Sequence, residues 1–549
     1  MTRNTPKVDV IIAGAGPVGL VLAMELARHG RTALVVEPRT RLEPPSVKCN
    51  HVSARSMEVF RRLGLASTIR QAGLPPDYPH DIAYRTTATG VELTRIPIPC
   101  WRDRYTDTSG PDGNWPTAEP PHRINQIYLE PILFRHAEQT PGITIWNRAE
   151  LVEFDQTEDG VTAQVRDLDT DTVHRIDAPY LVGCDGGRSR VRKAIGAELQ
   201  GDAVVQRVQS TYLRAPDLLQ RFRYAPAWAT FSLNPRRSGN MYAIDGRELW
   251  LVHNYLRDDE PDFDSVDRDA SIRAILGVGD DFQYEVLNVE DWYGRRLVAN
   301  RFRDRRVFIC GDAAHLWVPY AGYGMNAGIA DAANLAWLLG ARLQGWGGAH
   351  LLDAHEAERQ PITEQVSYFA MNHAHAMAQQ RGAVPANLED DDAAGAAARA
   401  ELGRQAYELN VQQYAAAGLN FGYYYDASPI IAYDGEKAPG YTMGSFTAST
   451  VPGCRTPFFV LADGRPLYDA LGDGYTVLRF DPSRDVSALV EAAAKRGVPL
   501  AVLDADRTDP RTEVYRHDLL LSRPDQHVAW RGNHVPADAL ALIDTLRGA

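Results

Sequence analysis

Three glycines and two charged residues near the N-terminus have the types and spacing needed to hold a diphosphate. In VDVIIAGAGPVGLVLAMELARHGRTALVVEPR, Gly14 allows a tight turn, Gly16 lets a pyrophosphate approach the backbone, and Gly19 permits close helix packing. Glu37 follows about 20 residues later, where an acid accepts hydrogen bonds from a ribose, and Arg39 lies beside it. The pattern predicts a dinucleotide with an unphosphorylated ribose, FAD or NAD rather than NADP.

A second group of residues, in CGDAAHLWVPYAGYGMNAGIADA at positions 310–332, supplies one acid followed by bare backbone. We expect six of its members to bind the cofactor: Asp312, Pro319, Gly322, Gly324, Met325 and Asn326. The acid can hold the hydroxyls of a ribityl chain, and N–H groups at a helix start can stabilise negative charge on a reduced ring system. NAD has no ribityl chain, so this stretch favours FAD.

Two strand-and-helix patterns must position these residues. Residues 8–12 form an apolar strand before the glycines, a helical stretch runs to about residue 29, and residues 33–36 form a second strand. Residues 306–310 predict another buried strand, and residues 327–343 predict a helix after it. Because both acids end strands, we expect them to face the same cofactor.

Composition and charge indicate a soluble, multidomain protein. The chain has 549 residues, of which 44% are hydrophobic and 23% charged, whereas single cores stop growing near about 250–300 residues. A net charge of −13 repels nucleic acid and anionic membranes, so neither is an expected partner. We read the apolar N-terminal run as core and expect a cytoplasmic protein without a targeting segment.

Cysteine and histidine positions give no sign of a metal site or a disulfide. The five cysteines are far apart and include no C-x-x-C, which fits a reducing compartment. His373 and His375 lie two residues apart in a helical stretch, so they do not share a face. We therefore expect no bound metal.

Three motifs occur in order along the chain: the first glycine loop, CDGGRSRVR with Asp185, and GDAAH with Asp312 and the later Pro319. Together they resemble the fingerprints of single-component FAD-dependent aromatic hydroxylases of the para-hydroxybenzoate hydroxylase type. NQIYLEPIL resembles a segment of that family in which Gln126 would touch the flavin. The resemblance covers residues 8–380. The tail, with FFVLADGRPLYDAL and LLSRPDQHVAWRG, resembles the C-terminal thioredoxin-like domain of the phenol and polyketide hydroxylase branch.

The resemblance implies an α/β protein with a Rossmann-like FAD domain interleaved with a β-sheet substrate domain, plus a C-terminal thioredoxin-like α/β domain. We expect the FAD domain at 1–74, 116–194 and 291–385, the substrate domain at 75–115 and 195–290, a helical linker at 386–444, and the thioredoxin-like domain at 445–549. Pro361 should interrupt the helices after residue 353, and the acidic stretch 389–401 should be a helix start or loop. Cys454 has no partner cysteine, so the last domain should be structural or an assembly surface, with a homodimer left open.

The chemistry implied by the resemblance belongs mostly to the cofactor. NADPH or NADH would reduce FAD as a transient reductant, O2 would add to give a flavin C4a-hydroperoxide, and its distal oxygen would attack a phenolic or polyketide-derived aromatic substrate. The chain has no second dinucleotide motif, which suits a family whose NAD(P)H has no Rossmann domain of its own.

The loop that should provide the catalytic base departs from the family pattern. The phenol hydroxylase branch usually has R-A-D-G here, with the Asp as base, whereas this chain has Lys48, Cys49, Asn50 and His51. His51 could take the phenol proton, and Lys48 could lower the phenol's pKa by its charge. Asn50 can only hydrogen-bond. The alternative is that His51 points outward and Asn50 merely packs.

Substrate contacts are less defined by sequence. In LWLVHNYL, strand alternation places His253 and Tyr255 on one face with Leu251, and Tyr242 lies on a preceding strand. These side chains could line the substrate pocket. They could equally form a half-buried sheet face with satisfied polar groups.

Two other functions remain open from the sequence. The same flavin chemistry could carry out a Baeyer-Villiger oxygenation of a polycyclic ketone, or the chain could be a non-catalytic flavoprotein that serves as a binding module. A flavin-dependent halogenase is disfavoured because the sequence has no W-x-W-x-I-P stretch.

Overall fold

The computed structural model describes residues 5–549. Within this range, 21 strands are numbered in chain order: β1 Val10–Ala13, β2 Ala33–Glu37, β3 Ile82–Arg85, β4 Glu92–Ile96, β5 Ile143–Asn147, β6 Ala149–Gln156, β7 Val161–Asp167, β8 Val173–Ala178, β9 Tyr180–Gly183, β10 Leu199–Arg214, β11 Ala229–Ser232, β12 Gly239–Ala243, β13 Leu249–Tyr255, β14 Glu285–Ala299, β15 Arg303–Asp304, β16 Val307–Ile309, β17 His315–Trp317, β18 Tyr475–Arg479, β19 Leu500–Asp504, β20 Leu519–Ser522 and β21 Val528–Gly532.

The same range contains 13 α-helices, also numbered in chain order: α1 Pro17–Arg28, α2 Ala54–Arg62, α3 Ala66–Arg70, α4 Gln126–Gln139, α5 Arg190–Ala194, α6 Arg268–Leu276, α7 Tyr323–Leu343, α8 Asp353–Gly382, α9 Ala393–Tyr414, α10 Ala417–Phe421, α11 Leu467–Ala470, α12 Ser487–Arg496 and α13 Ala539–Leu546. None of these helices combines the length and apolar character needed to cross a membrane.

The first sheet is the Rossmann-like sheet that the glycine motif predicts. Its strand order is β15-β16-β9-β1-β2-β5, and β1 runs parallel to both β2 and β9. These strands are buried on both faces, as expected for a parallel sheet covered by helices. Because β1, β9 and β16 end at the same edge, the three motifs that follow them lie together.

The second sheet has eight strands in the order β17-β14-β10-β13-β12-β11-β3-β4 and is largely antiparallel. Most of its strands come from the two segments expected to form the substrate domain. One of its two edge strands, β17, lies within the third cofactor motif, between Asp312 and Pro319, and it pairs with β14 through Leu316 and Leu297. The two domains are therefore joined by backbone hydrogen bonds across a sheet.

The helices after residue 353 differ from the sequence expectation at one point. Helix α8 continues through Pro361 instead of ending there. A proline removes one backbone hydrogen bond from a helix, but α8 is held by buried side chains on both sides of this position. Helix α9 starts inside the acidic stretch, as expected, where Asp392 caps it by accepting a 2.7 Å hydrogen bond from the N–H of Gly395.

The C-terminal domain is the α/β unit that the tail predicts. Strand β18 is parallel to β19 and antiparallel to β20, which is antiparallel to β21. All five cysteines of the chain are free thiols. Burial raises the pKa of Cys454 to about 11, so its reactive thiolate form is scarce at neutral pH.

Buried ion pairs join the C-terminal domain to the cofactor domain. Arg523 precedes β21 and donates a 2.8 Å hydrogen bond to Glu358 on α8, and neither side chain is exposed. Glu358 also accepts a hydrogen bond from Asn334 on α7 at 2.7 Å. A second buried pair links Arg455 to Glu58 on α2.

We predict that Arg523→Met lowers the free energy of unfolding by about 3–5 kcal/mol, because it leaves the buried carboxylate of Glu358 without its cation. Urea denaturation followed by tryptophan fluorescence measures the change. Arg404→Met is the control, since the pairs of Arg404 with Glu401 and Glu408 on α9 are exposed and should contribute little. Equal stability of both variants would contradict the prediction.

Candidate active site

The first glycine loop has the geometry that each glycine was expected to need. Gly14 has φ +105°, and a Cβ there would lie 2.3 Å from the carbonyl oxygen of Cys184. A Cβ on Gly19 would lie 2.0 Å from the carbonyl oxygen of Gly14, so helix α1 packs directly against the loop. A Cβ on Gly16 would meet nothing within 4 Å. The loop thus exposes bare backbone at the start of a helix, where a diphosphate can bind.

Glu37 and Arg39 lie at the end of β2, beside this loop. Glu37 accepts a 2.8 Å hydrogen bond from the N–H of Ala15 and a 3.0 Å hydrogen bond from the N–H of Arg39. The guanidinium of Arg39 also reaches Glu130 on α4 at 3.1 Å. Gln126, at the first turn of α4, donates to the same Glu130. These contacts hold the acid at the strand end where a ribose would lie.

Asp185 of the second motif forms hydrogen bonds with residues close to it in the sequence. Its carboxylate accepts hydrogen bonds from the Ser189 hydroxyl at 2.5 Å and from the N–H of Arg190 at 2.7 Å, which organises the start of α5. Arg192 donates to the carbonyl oxygens of Gly187 and Ala313. A direct cofactor contact of Asp185 stays a prediction.

Hydrogen bonds to a buried acid, which was not predicted from the sequence, hold the third motif in place. Asp331 on α7 accepts hydrogen bonds from the N–H of Gly311 at 3.1 Å, from His315 Nε2 at 2.7 Å and from Arg359 Nε at 2.8 Å. Burial alone would raise the pKa of Asp331, but the charges of His315 and Arg359 hold it below its usual range. The neighbouring Asp312 remains exposed, free to accept hydrogen bonds from a ligand.

The loop before α7 folds back on the segment that carries His51. Gly322 has φ +63°, and a Cβ there would lie 2.8 Å from the Cβ of His51. Asn326 donates to the carbonyl oxygens of Gly322 at 2.6 Å and His51 at 3.1 Å, and it accepts a 2.8 Å hydrogen bond from the N–H of Ser53. A Cβ on Gly324 would be 4.0 Å from its nearest neighbour, so backbone is exposed here as well.

Two further predicted residues flank this turn. Pro319 is exposed just before it, and Met325 is buried in the first turn of α7. Because β16 and β1 end at the same edge of the first sheet, this turn lies on the same side of the sheet as the first glycine loop. The residues present therefore fit FAD: a glycine loop for the diphosphate, an acid for the ribose, an exposed acid for the ribityl chain, and a helix start for the ring system.

The three predicted catalytic residues lie together on one loop. Lys48 is exposed and forms a 2.6 Å ion pair with Glu290 on β14 of the second sheet. Asn50 accepts a 2.5 Å hydrogen bond from Asn125, the residue that caps α4. The backbone N–H of Gln126 donates to the carbonyl oxygen of Cys49 at 3.0 Å. The start of α4 therefore holds this loop between the two domains.

His51 is buried and contacts Arg123, a residue that sequence reasoning missed. The backbones of Val52 and His122 exchange two hydrogen bonds of 2.9 Å, which places His51 opposite Arg123. A guanidinium N–H of Arg123 donates to His51 Nδ1, because arginine has no acceptor. Burial and the charges of Arg123 and Arg104 hold the pKa of His51 well below 6.5. The base role of His51 stays a prediction, and it would require Arg123 to leave Nδ1.

The predicted substrate residues share one face of the second sheet. Tyr242 and His253 lie on adjacent strands with their rings 5.5 Å apart, and Tyr255 is two residues beyond His253 on the same face. Tyr242 also contacts Trp228, at 5.2 Å between ring centroids. Arg381 from α8 covers the Tyr255 ring at 4.1 Å. Aromatic rings thus cover this face.

Many polar groups on and around this face are buried without a hydrogen-bond partner. Within residues 5–549 they include side-chain atoms of His80, His122, Arg123, Gln206 and Arg381. An unsatisfied buried polar group costs about 1–3 kcal/mol, so groups of this kind are expected where water or a ligand binds. No group of histidine, cysteine and acidic residues in this range could hold a metal ion.

Comparison with known proteins shows which family the chain belongs to. A family model described as FAD binding domain matches residues 7–370, and one described as aromatic-ring hydroxylase, C-terminal, matches residues 449–548. The chain belongs to the FAD-dependent aromatic hydroxylases. Its resemblance to this family, and the FAD cofactor that the glycine motifs predict, are thereby confirmed.

Relatives of this hydroxylase are similar over almost their whole length. It is 30% identical to the FAD-dependent monooxygenase apdD of Emericella nidulans, covering 97% of this chain and 89% of that protein. It is also 30% identical to aklavinone 12-hydroxylase RdmE of Streptomyces purpurascens, covering 98% of each chain. Among solved structures, RebC with bound 7-carboxy-K252c is 33% identical, with a TM-score of 0.88 over 100% of both chains.

We predict that Gly16→Val purifies without FAD, because the side chain would project into the open space beside the loop that a diphosphate needs. Gly440→Val is the matched control: a Cβ there also meets nothing within 4 Å, but it lies outside the cleft. Asp312→Ala should bind FAD about ten- to hundredfold more weakly, through loss of a charge-assisted hydrogen bond. Flavin absorbance after gel filtration measures retention. Full FAD occupancy in Gly16→Val would refute the assignment of the loop.

Proposed function

We propose that this hydroxylase uses NAD(P)H and O2 to hydroxylate a phenolic or polyketide-derived aromatic compound. The observation that carries the proposal is the position of the aromatic sheet face. The rings of Trp228, Tyr242 and His253 contact one another in sequence, and Arg123 joins Trp228 to His51, whose loop contacts the turn before α7. A planar substrate on this face would present its edge to the flavin ring.

Several features of the site support oxygenation over simple binding. Bound FAD, once reduced by NAD(P)H, supplies the activation of O2. The chain's own residues must bind the arene, orient it and exclude water, since water degrades activated oxygen species. Large aromatic rings such as those of Trp228 and Tyr242 can hold a planar molecule by contact with its faces and edges. The names of two relatives, a phenol 2-monooxygenase and an aklavinone hydroxylase, agree with an aromatic substrate.

Lys48 and His51 have different parts in this proposal. The exposed ammonium of Lys48 lies beside Glu290 at the edge of the sheet, where it can stabilise negative charge on an approaching substrate. His51 accepts a hydrogen bond from Arg123 through Nδ1, so it is neutral and carries its proton on Nε2. We therefore assign His51 to positioning Arg123 rather than to accepting the phenol proton.

We predict that a panel of phenols and hydroxyquinones contains compounds that raise NAD(P)H oxidation well above the rate without substrate. Mass analysis should show a product heavier by one oxygen with its carbocycle intact. A lactone would instead support Baeyer-Villiger oxygenation. Oxidation of NAD(P)H that no aromatic compound stimulates would contradict the proposal and support a binding module.

A second prediction separates the two roles of His51. If His51 were the base, His51→Asn would slow single-turnover hydroxylation by about 10²- to 10⁴-fold at neutral pH, and raising the pH would restore the rate by ionising the phenol in solution. As a positioning residue it should slow the reaction without such recovery, because the orientation of Arg123 does not depend on the phenol's ionisation. Recovery at high pH in His51→Asn would contradict our assignment.

A further inference from the structure

Arg123 is a buried cation between the two halves of the active site. Its side chain belongs to the segment before α4, and only 2% of the residue is exposed. The guanidinium lies 4.6 Å from the centre of the Trp228 ring and 5.9 Å from that of Tyr414. One nitrogen donates to His51, while the other, Nη2, is buried without a partner.

The charge of Arg123 is not balanced by a carboxylate. Within residues 5–549 no acidic oxygen lies within 4.0 Å of it. Asp112 has the largest favourable effect on its charge, but Asp112 already forms a 2.8 Å ion pair with Arg104. Arg70, a third buried arginine nearby, has Glu119 at 2.8 Å. Two cations, Arg104 and Arg123, thus share one carboxylate.

An unpaired charge in the interior is costly, so such groups are normally paired with an opposite charge or with a ligand. Burial lowers the pKa of Arg123 to about 10, which still leaves the guanidinium charged at neutral pH. Aromatic faces stabilise a cation only weakly compared with a carboxylate. The surroundings of Arg123 therefore lack one negative charge.

We propose that Arg123 binds an anionic oxygen of the aromatic substrate, and hence that the substrate carries a phenolate or carboxylate in its bound form. The inference rests on the proposed function, since it names the class of arene that the same site accepts. Nη2 provides the free donor, and His51 fixes the plane of the guanidinium through the other nitrogen. The rings of Trp228 and Tyr414 complete a site for a planar, anionic molecule.

Binding to the oxidised, FAD-loaded protein tests this without catalysis. Three naphthalene probes separate the chemistry: 2-naphthoate carries a carboxylate, 2,4-dinitro-1-naphthol is a phenolate at neutral pH, and 2-methoxynaphthalene is neutral. Each is titrated by the change in flavin absorbance. The wild type should bind at least one anion about tenfold or more tightly than the ether, and the preferred anion identifies the source of the negative oxygen.

Arg123→Met should weaken binding of the preferred anion by about ten- to hundredfold, the typical effect of losing a charge-assisted hydrogen bond, and leave the ether within about twofold. Its thermal unfolding midpoint should be unchanged or higher, because an uncompensated buried charge has been removed. Arg123→Lys keeps the charge but loses the planar pair of guanidinium donors, so it should retain part of the anion preference. This variant takes the place of Arg123→Met in the test if Arg123→Met does not fold.

Arg381→Met is the matched control: Arg381 also covers an aromatic ring of the site, but it is half-buried, so water compensates its charge and the site does not need an anion there. It should keep the anion preference. The proposal is overturned if the wild type binds neither anion more tightly than the ether, if Arg123→Met weakens all three probes equally, or if the preference is lost in Arg381→Met and kept in Arg123→Met. None of these outcomes depends on NAD(P)H oxidation, so failure of the proposed reaction would be seen separately.

Discussion

The buried carboxylate of Asp331 holds the cofactor side of the active site in place. It accepts hydrogen bonds from Gly311 at the strand end, from His315 on β17 and from Arg359 on α8. One side chain thus fixes the end of a strand of the first sheet, an edge strand of the second sheet and the two long helices α7 and α8 relative to each other. The exposed Asp312 takes its position from this arrangement. A buried charge with three donors is stable because each partner compensates part of its lost hydration.

Helix α2 connects the C-terminal domain to the active-site loop that precedes it. Ser53 caps the helix, and its backbone N–H donates a hydrogen bond to Asn326 in the first turn of α7. Further along α2, Arg55 contacts His527 and Glu58 pairs with Arg455, both in the C-terminal domain. The C-terminal domain therefore helps to hold in place a helix whose N-terminal cap is bonded to the first turn of α7.

The glycine loop, the parallel sheet and the FAD cofactor could be predicted from the sequence, because phosphate binding constrains the backbone and glycines are easily recognised in a sequence. The individual cofactor contacts stay predictions. Gly14 and Gly19 are needed for close backbone contacts that admit no Cβ. By contrast, the contact of Arg123 with His51 could not be predicted from the sequence. It depends on the backbone pairing of Val52 with His122, which joins segments about 70 residues apart. Pro361 was misjudged because local propensity predicts a break that tertiary packing overrides. Domain limits and individual substrate contacts stay predictions.

The pairing of β17 with β14 has a consequence for how molecules enter the site. The chain leaves the first sheet at the end of β16, and β17, within the third motif, adds to the edge of the second sheet through Leu316 and Leu297. The chain then returns to the cofactor side through the turn before α7. A hinge opening between the two domains would have to strip a strand from a sheet, which costs several backbone hydrogen bonds at once. A ligand would instead reach the space between the two sheets through smaller movements, of the loop of Lys48 and Asn50 and of the turn at Gly322. The pairing of β17 with β14 therefore favours access by the movement of short segments over a separation of the two domains.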